Sequence, residues 1–229
     1  MNRTLLFTVL LAATGLAHAH DHASADGRGR DIDKVNGGIT AEAGQSYGDL
    51  STVNGGIDLE MGAKVEDVET VNGGIDAEDD VSARSVSTVN GGIHFGQRAR
   101  IDGDVETVNG GIFIDRGGNL RRGVSTVNGG IGLIDTDLGG GIETVNGDVT
   151  VGVGSHVKGG IRVEKPSKSW GVRWGKPKVP RIVIGANAVV EGNLVFERDV
   201  KLYVHESARI GAVSGATAQR YNSATPPKD

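Results

Sequence analysis

The apolar residues of this chain recur in a fixed order, whose most regular part is the sequence Val-Asn-Gly-Gly-Ile. Six copies read VNGGI and a seventh reads VNGDV. Successive copies start 18, 18, 18, 19, 19 and 18 residues apart, at Val35, Val53, Val71, Val89, Val108, Val127 and Val145. Short alternating stretches broken by glycine are typical of β-strands joined by tight turns. A repeat of this length therefore predicts an all-β, single-stranded parallel β-solenoid (β-helix) of either hand, with one rung of 18 or 19 residues per copy and about ten rungs in all.

Five positions of each copy are predicted to face the interior and to stack into columns. The first is the starting valine, and the second is the isoleucine or valine four residues later. The seventh position holds Ala41, Leu59, Ala77, Phe95, Ile114, Leu133 and Val151. The thirteenth holds Tyr47, Val65, Ala83, Ile101, Leu120 and Val157, and Gly139 interrupts it. The copies close at Leu50, Val68, Val86, Val105, Val124, Ile142 and Ile161.

The Asn-Gly-Gly sequence is typical of a sharp corner, because asparagine and glycine tolerate left-handed backbone conformations. Stacked corners would place equivalent asparagines about 4.8 Å apart, where their amides can bond to one another. We therefore predict a structural ladder of seven residues: Asn36, Asn54, Asn72, Asn90, Asn109, Asn128 and Asn146. An alternative is that this row is presented to a sugar.

A change in composition ends the repeat after residues 31–163. Residues 164–181 read EKPSKSWGVRWGKPKVPR and contain three of the five prolines and both tryptophans, which predicts a loop. Residues 182–213 then follow a six-residue rhythm, which predicts a continuation of the solenoid or a cap on it. Residues 214–229 are predicted to be a disordered tail.

The N-terminal residues have the features of a secretory signal. Residues 1–19 combine a basic residue, a short apolar stretch and a final Ala-His-Ala, which predicts a cleaved signal peptide followed by a flexible segment, residues 20–30. No later apolar stretch is long enough for a transmembrane helix. We therefore expect a periplasmic or extracellular protein that does not bind nucleic acid. The chain has no cysteine, so its stability must come without disulfides.

The net charge of −5 hides two opposed regions. Residues 31–150 carry 21 acids and 8 bases, a net of −13, whereas residues 158–181 carry 8 bases against Glu164 alone, a net of +7. Aromatic rings among cations predict a loop that binds anionic glycan or an envelope surface. The alternative is a cap over an open end of the solenoid. The predicted binding residues are Lys165, Lys168, Trp170, Arg173, Trp174, Lys176, Lys178 and Arg181.

No cofactor is required by the sequence, but two patterns fit a metal. Stacked carboxylates on one outer face could bind Ca²⁺ through oxygen ligands; these are Glu42, Asp58, Glu60, Asp76 and Glu78. Cleavage after Ala19 would leave His20-Asp21-His22 at a free amine, and cleavage after Ala17 would leave His18-Ala19-His20. Either terminus fits a square-planar Cu²⁺ or Ni²⁺ site.

Two stretches of the chain look like known families. Residues 182–213, with GANAVVEGNL and SARIGAV, resemble the bactofilins, the polymer-forming bacterial cytoskeletal proteins. The VNGGI array is similar to β-solenoid adhesins of bacterial envelopes. The first resemblance implies a β-helix that associates end to end without nucleotide. The second implies a place in the cell envelope.

The function expected from these observations is a non-catalytic, exported structural or adhesin-like rod. Two alternatives remain open. One is a periplasmic protein that binds a ligand or metal through the basic loop, the acidic face or the N-terminal histidines. The other is a polysaccharide-cleaving enzyme, for which His94, Arg98, Arg100 and Asp102 of one copy are the candidate residues.

Overall fold

The chain folds into a parallel β-solenoid of about ten rungs, as the repeat predicts. The structure is a computed structural model. It describes residues 29–166 and 178–227 together with the backbone of residues 20–23. These residues contain no helix, so none of them forms an apolar helix long enough to cross a bilayer.

The described residues form the following strands in chain order. They are β1 (His20–Ala23), β2 (Arg30–Asn36), β3 (Ile39–Ala41), β4 (Tyr47–Asn54), β5 (Ile57–Leu59), β6 (Lys64–Asn72), β7 (Ile75–Ala77), β8 (Ser82–Asn90), β9 (Ile93–Phe95), β10 (Arg100–Ile101), β11 (Val105–Asn109), β12 (Ile112–Ile114), β13 (Asn119–Leu120), β14 (Val124–Asn128), β15 (Ile131–Leu133), β16 (Asp137–Leu138), β17 (Ile142–Thr144), β18 (Val149–Val151), β19 (His156–Val157), β20 (Ile161–Val163), β21 (Arg181–Ile184), β22 (Val189–Val190), β23 (Leu194–Phe196), β24 (Lys201–His205), β25 (Arg209–Ile210), β26 (Val213–Ser214) and β27 (Ala218–Tyr221).

Each rung contributes to three faces. The first face is a ten-stranded parallel sheet formed by β3, β5, β7, β9, β12, β15, β18, β21, β24 and β27. The second face contains two-residue strands such as β10, and the third contains strands such as β11. The longer strands β2, β4, β6 and β8 run through both. Neighbouring rungs pair in register, so that Asn54 lies beside Asn72 and Ile57 beside Ile75.

Four of the five predicted columns form the core. The fifth, seventh, thirteenth and closing positions are buried throughout the repeats, with side chains such as Ile57, Leu59 and Leu50 almost fully enclosed. The thirteenth column is corrected at one rung, where Leu138 pairs with Leu120 and is buried in place of Gly139. The turn between Leu133 and Leu138 is one residue shorter than its counterpart in the preceding copy, which moves the column back by one position.

The predicted first column is wrong, because the valine of each VNGGI copy faces outward. Val89 is half-buried on the outer side of β8, and Val35 is 41 % exposed. Side chains alternate between the two sides of a strand. Because the closing residue Val86 is buried, Thr88 faces inward and Val89 faces outward. The inward column is formed by the threonines before the valines, namely Thr52, Thr70, Thr88, Thr107, Thr126 and Thr144.

The buried threonines are compatible with an apolar core because their hydroxyls are paired. Thr70 Oγ1 donates to Gly55 O at 2.9 Å, and Thr88 Oγ1 donates to Gly73 O at the same distance. Thr52, Thr107 and Thr126 make equivalent bonds. Each of these bonds satisfies a corner carbonyl, so the threonine column attaches the third face to the neighbouring corner.

The chain after the predicted loop continues the same stack. Ile182 of β21 pairs with Val149 of β18, and Leu194 of β23 pairs with Ile161 of β20. The predicted loop therefore replaces one corner of the solenoid without changing its register.

Both predicted flexible ends contain strand. The tail expected to be disordered forms β27, in which Tyr221 is buried and donates through its hydroxyl to Ile184 O at 3.2 Å. Arg181 donates through Nη2 to Pro227 O at 2.6 Å, so the chain turns back over the first face after β27. Within residues 20–30, β1 pairs antiparallel with β2. Both segments are ordered by backbone pairing with a neighbouring strand. This pairing cannot be read from their local composition.

Candidate functional site

The seven predicted asparagines form a continuous side-chain ladder along one exposed corner. The Nδ2 of each residue donates to the Oδ1 of the asparagine one rung earlier, with distances of 3.1, 3.0, 2.9, 2.9, 2.9 and 2.9 Å. This arrangement uses one donor and one acceptor of each internal amide. The pairing accounts for the repeated asparagine without a sugar ligand.

The first glycine of each corner is required by close packing. A Cβ atom on Gly91 would lie 1.9 Å from Gly73 O, and one on Gly110 would lie 1.8 Å from Gly91 O. The second glycine is less confined, since a Cβ on Gly130 has its nearest contact at 3.5 Å. A side chain therefore fits at the second position, and Asp148 occupies it in the seventh copy.

The sequence predicted a left-handed backbone at the Asn-Gly-Gly corners. Among the described corners, Gly37 alone has a positive φ, of 100°. The left-handed residue of most rungs lies instead in the turn between the first and second faces. It is Gly44, Gly62, Asp80, Arg98, Gly117, Asp135, Gly154 or Asn187. In this turn Ala63 N donates to Glu60 O, so Gly62 is the third residue of a β-turn that favours positive φ.

Asp148 anchors the returning end of the basic loop (residues 164–181). Its Oδ2 accepts a bond from Lys178 Nζ at 2.6 Å, and its Oδ1 accepts one from the Arg181 main-chain N–H at 2.9 Å. The replacement of glycine by aspartate in VNGDV therefore provides the point where the loop rejoins the solenoid. At the outgoing end, the Lys165 main-chain N–H donates to Glu197 Oε2 at 3.5 Å, and Glu197 also pairs with Arg162 of β20 at 2.9 Å.

Arg198 joins the asparagine ladder to the basic loop. Its Nη1 donates to Val145 O at 2.9 Å and to Asn146 Oδ1 at 2.6 Å, while its Nη2 donates to Lys178 O at 3.0 Å. Sequence reasoning missed this residue, because it lies in a later rung and no motif marks it. Asp148 could have been found from the single break in the VNGG pattern.

The structure describes only part of the predicted binding loop. Lys165, Lys178 and Arg181 lie at its two ends, near the ladder corner. Arg181 also lies over the Tyr203 ring, with its guanidinium carbon 4.9 Å from the ring centroid. The other predicted loop residues, Lys168, Trp170, Arg173, Trp174 and Lys176, lie outside the described residues.

The predicted calcium face does not form a metal site. No group of three or more His, Asp or Glu side chains among the described residues is arranged to hold a metal ion. Glu60 Oε2 accepts the main-chain N–H of Ala43, and Glu78 Oε2 accepts that of Met61, both at 3.0 Å. These carboxylates therefore satisfy the turn of the preceding rung.

The remaining members of that face are Glu42, Asp58 and Asp76. Asp58 and Asp76 are exposed side by side on the outer side of the first face. The predicted copper motif falls on β1, where His20 pairs with Asp33 and His22 with Asp31 through the backbone. The histidine side chains lie outside the described part of the chain.

The residues of the enzymatic alternative do not converge. His94 Nδ1 lies 3.7 Å from Asp76 on the first face, whereas Asp102 pairs with Arg121 at 3.0 Å in a different corner. Arg98 is in the left-handed turn, where it donates through Nε and Nη2 to Asp80, both at 2.7 Å. These hydrogen bonds hold the pKa of the Asp80 carboxyl below its ordinary value. Separate ion pairs account for His94, Arg98 and Asp102, and Arg100 is exposed on β10.

Acidic and serine side chains alternate on the outer side of the third face. Burial raises the pKa of Glu106 above its ordinary value, and the negative charge of Asp104 adds to this effect. Ser125 Oγ donates to Glu106 Oε1 at 3.3 Å, which partly offsets the desolvation. Interleaved serines therefore keep these carboxylates two rungs apart and supply hydrogen bonds to them.

Comparisons with protein-family models, with curated proteins and with solved structures give no significant match to this chain.

Proposed function

We propose that this protein is a non-catalytic, exported β-solenoid of the bacterial cell envelope that acts as a rod or scaffold. The rod presents the basic loop to anionic groups of a glycan or of the envelope surface. The observation that carries the proposal is the insertion of this loop into an otherwise uninterrupted stack, with both of its ends fixed. A scaffold that presents a loop needs such a rigid base.

The fixed ends of the loop support a presenting role. Asp148 and Arg198 both bind Lys178, and Arg198 is tied in turn to the last asparagine of the ladder. The position of the returning end of the loop, at Lys178, is therefore set by the rod. The basic residues of the loop oppose the strongly acidic repeats, so an anionic surface would be attracted to the loop and repelled elsewhere.

The resemblances noted in the sequence support the cellular setting of the proposal. The VNGGI array is similar to envelope β-solenoid adhesins, and the signal-like residues 1–19 agree with export. The part similar to bactofilins, residues 182–213, suggests in addition that rods join end to end.

The last rung supports this end-to-end association. Its apolar residues Ile210, Val213, Ala216 and Ala218 pack against the core but are only partly buried. Among the described residues, β26 and β27 are the last strands of their faces, and each pairs on one side only, with β23 and β24 respectively. An uncovered sheet edge with apolar neighbours is a template for pairing with a further chain.

The loop is tested by co-sedimentation of the full chain with phosphatidylglycerol vesicles and by binding to dextran sulfate. We expect binding that falls with salt and is lost when Lys165, Lys168, Arg173 and Lys176 are changed to serine. The matched control changes four exposed acids outside the loop, Asp58, Asp76, Glu191 and Glu206, to serine. Equal binding by wild type and loop variant would reject a presenting role, and a lower melting temperature of the Trp170→Ala/Trp174→Ala variant would identify a cap.

End association is tested by sedimentation velocity and electron microscopy over a concentration series. We expect filaments or oligomers that grow with concentration, and we expect Val213→Lys in the last rung to abolish them. The control is Val153→Lys, since Val153 is 57 % exposed on the side of the rod. Discrete monomers at all concentrations would reject polymerisation and leave a single rod.

A further inference from the structure

A shallow groove of about 560 Å³ runs along the outer side of the first face and ends at Asp148, where the basic loop rejoins the solenoid. One wall is the backbone of the second corner glycines, including Gly92, Gly111 and Gly130. The other side is the outward column of the face, from Asp76 to Thr150. Four rung steps separate these two residues, so the groove is roughly 19 Å long at the usual strand spacing.

Phe113 lies at the centre of this groove and is 37 % exposed. Among the described residues, it is the only aromatic ring in the set of exposed large apolar side chains. A single exposed apolar ring is common on protein surfaces, but this one lies in a groove, where a flat ligand can cover it.

The neighbouring residues give this ring a defined position. Gly132 occupies the same column one rung later, and a Cβ there would lie 3.0 Å from Phe113 Cδ2. Because Gly132 has no side chain, the Phe113 ring can lie over it. His94, one rung earlier, has its ring centroid 5.5 Å from that of Phe113 at an angle of 38°. Together the two rings form an aromatic surface that extends over adjacent rungs.

The polar groups of the groove have a distinct character. Asp76 is exposed at one end, and Asp148 and Thr150 lie at the other. No lysine or arginine is among the described residues that line it. The groove thus combines an aromatic surface with hydrogen-bond acceptors and a negative charge at the Asp76 end, whereas the charge of Asp148 is balanced by Lys178.

We propose that this groove binds an oligosaccharide of neutral or amino hexoses, with the apolar face of one sugar ring on Phe113. Sugar C–H groups fit the negative face of an aromatic ring, and an ammonium group on the sugar would add a cation–π contribution. Sugar hydroxyl groups would donate to Asp76. The inference does not depend on the proposed function, since among the described residues the groove meets the basic loop at Asp148, which lies two rungs away from Phe113.

The test is titration calorimetry of the full chain with three tetrasaccharides: tetrameric glucosamine, tetrameric N-acetylglucosamine and tetragalacturonate. We expect the glucosamine tetramer to bind most tightly and the acetylated tetramer more weakly. Phe113→Ala should weaken both by about tenfold, the loss of roughly one stacking interaction. Gly132→Val should have a similar effect, because the new side chain displaces the ring.

The matched control is Met61→Ala, which removes an exposed apolar side chain from a turn outside the groove. Circular dichroism melting of each variant shows whether the fold is kept. Absence of heat with both glucosamine tetramers at millimolar concentration, or binding unchanged in Phe113→Ala, would overturn the proposal. Galacturonate binding that is weakened by Phe113→Ala would overturn the charge preference of the groove, whereas galacturonate bound through the basic loop is not affected by this change.

Discussion

Arg198 Nη1 donates to Asn146 Oδ1 over 2.6 Å, so a guanidinium group ends the asparagine ladder. The same side chain holds Lys178 at the end of the basic loop. A column of uncharged amides is thereby joined to a segment that has six basic residues and one acid.

We expect Arg198→Ala to lower the free energy of unfolding by about 1 to 3 kcal/mol, because it removes three hydrogen bonds from a charged donor. Urea unfolding measures this loss. Arg209→Ala is the control, since Arg209 is exposed on the second face. A loss no larger than that of the control would mean that water replaces Arg198 without cost.

Val86 and Val89 provide a test of which valine faces the core. Val86→Asp puts an unpaired charge into a fully buried column and is expected to cost about 3 to 5 kcal/mol or to prevent folding. Val89→Asp should cost about 1 kcal/mol, mainly from lower β propensity. Thermal melting of the two variants compares them directly. Equal destabilisation would contradict the outward position of Val89.

Thr88 tests the hydrogen bonds of the buried threonine column. Thr88→Val keeps the shape and volume of the side chain but leaves Gly73 O without the hydroxyl donor. We expect a loss of about 1 to 3 kcal/mol in chemical unfolding. Thr88→Ser, which keeps the hydroxyl, should retain more of the hydrogen-bond contribution after its lost methyl group is taken into account.

Glu106 should make stability depend on pH in a defined direction. Its pKa is raised in the folded state from 4.5, so the folded chain binds the proton more tightly than the unfolded chain. The protonated Glu106 carboxyl therefore contributes to the free energy of unfolding at low pH. This contribution is lost as pH rises through the interval just above 4.5, and it does not return at higher pH. The variant Glu106→Gln does not titrate and should gain stability relative to wild type across that interval.

The measurement for Glu106 is the unfolding free energy at several pH values, with Glu206→Gln as the exposed control. A difference between wild type and Glu106→Gln that stays constant with pH would show that the carboxyl is fully hydrated in solution.

Removal of residues 215–229 should destabilise the C-terminal rungs. The deletion takes away β27 and the segment that returns to Arg181, and it uncovers Val183 and Tyr203, which are 3 % and 5 % exposed. We expect a lower melting temperature and binding of a hydrophobic dye. A chain that ends at Pro227 serves as the control. Unchanged melting would support the disordered tail that composition suggests.

The fold could be predicted from the sequence because the repeat fixes which positions are equivalent. Periodicity alone did not fix which side of a strand each position faces. Leu50 and Val53 are both apolar, yet an odd spacing places them on opposite sides of β4, and Thr52 takes the inward position. Threonine was overlooked because its hydroxyl becomes compatible with the core only when a corner carbonyl is within reach.

The candidate sites were less predictable because they depend on contacts between rungs. The link between Arg198 and Asn146 joins residues 52 positions apart. The groove around Phe113 depends on a glycine in the following rung. Local composition also misled at the tail, where pairing with β24 orders residues that have few apolar neighbours in sequence.

The equivalence of the corners has a consequence for how the length of this molecule can change. Every internal corner offers its neighbours the same amide donor, the same amide acceptor and the same packed glycine. A recombination event that duplicates or deletes one whole copy would therefore reproduce both of its junctions. It would change the length by about 4.8 Å and leave the two termini intact. The number of copies sets the length of the solenoid, and this length can change in steps of one rung without a new kind of contact.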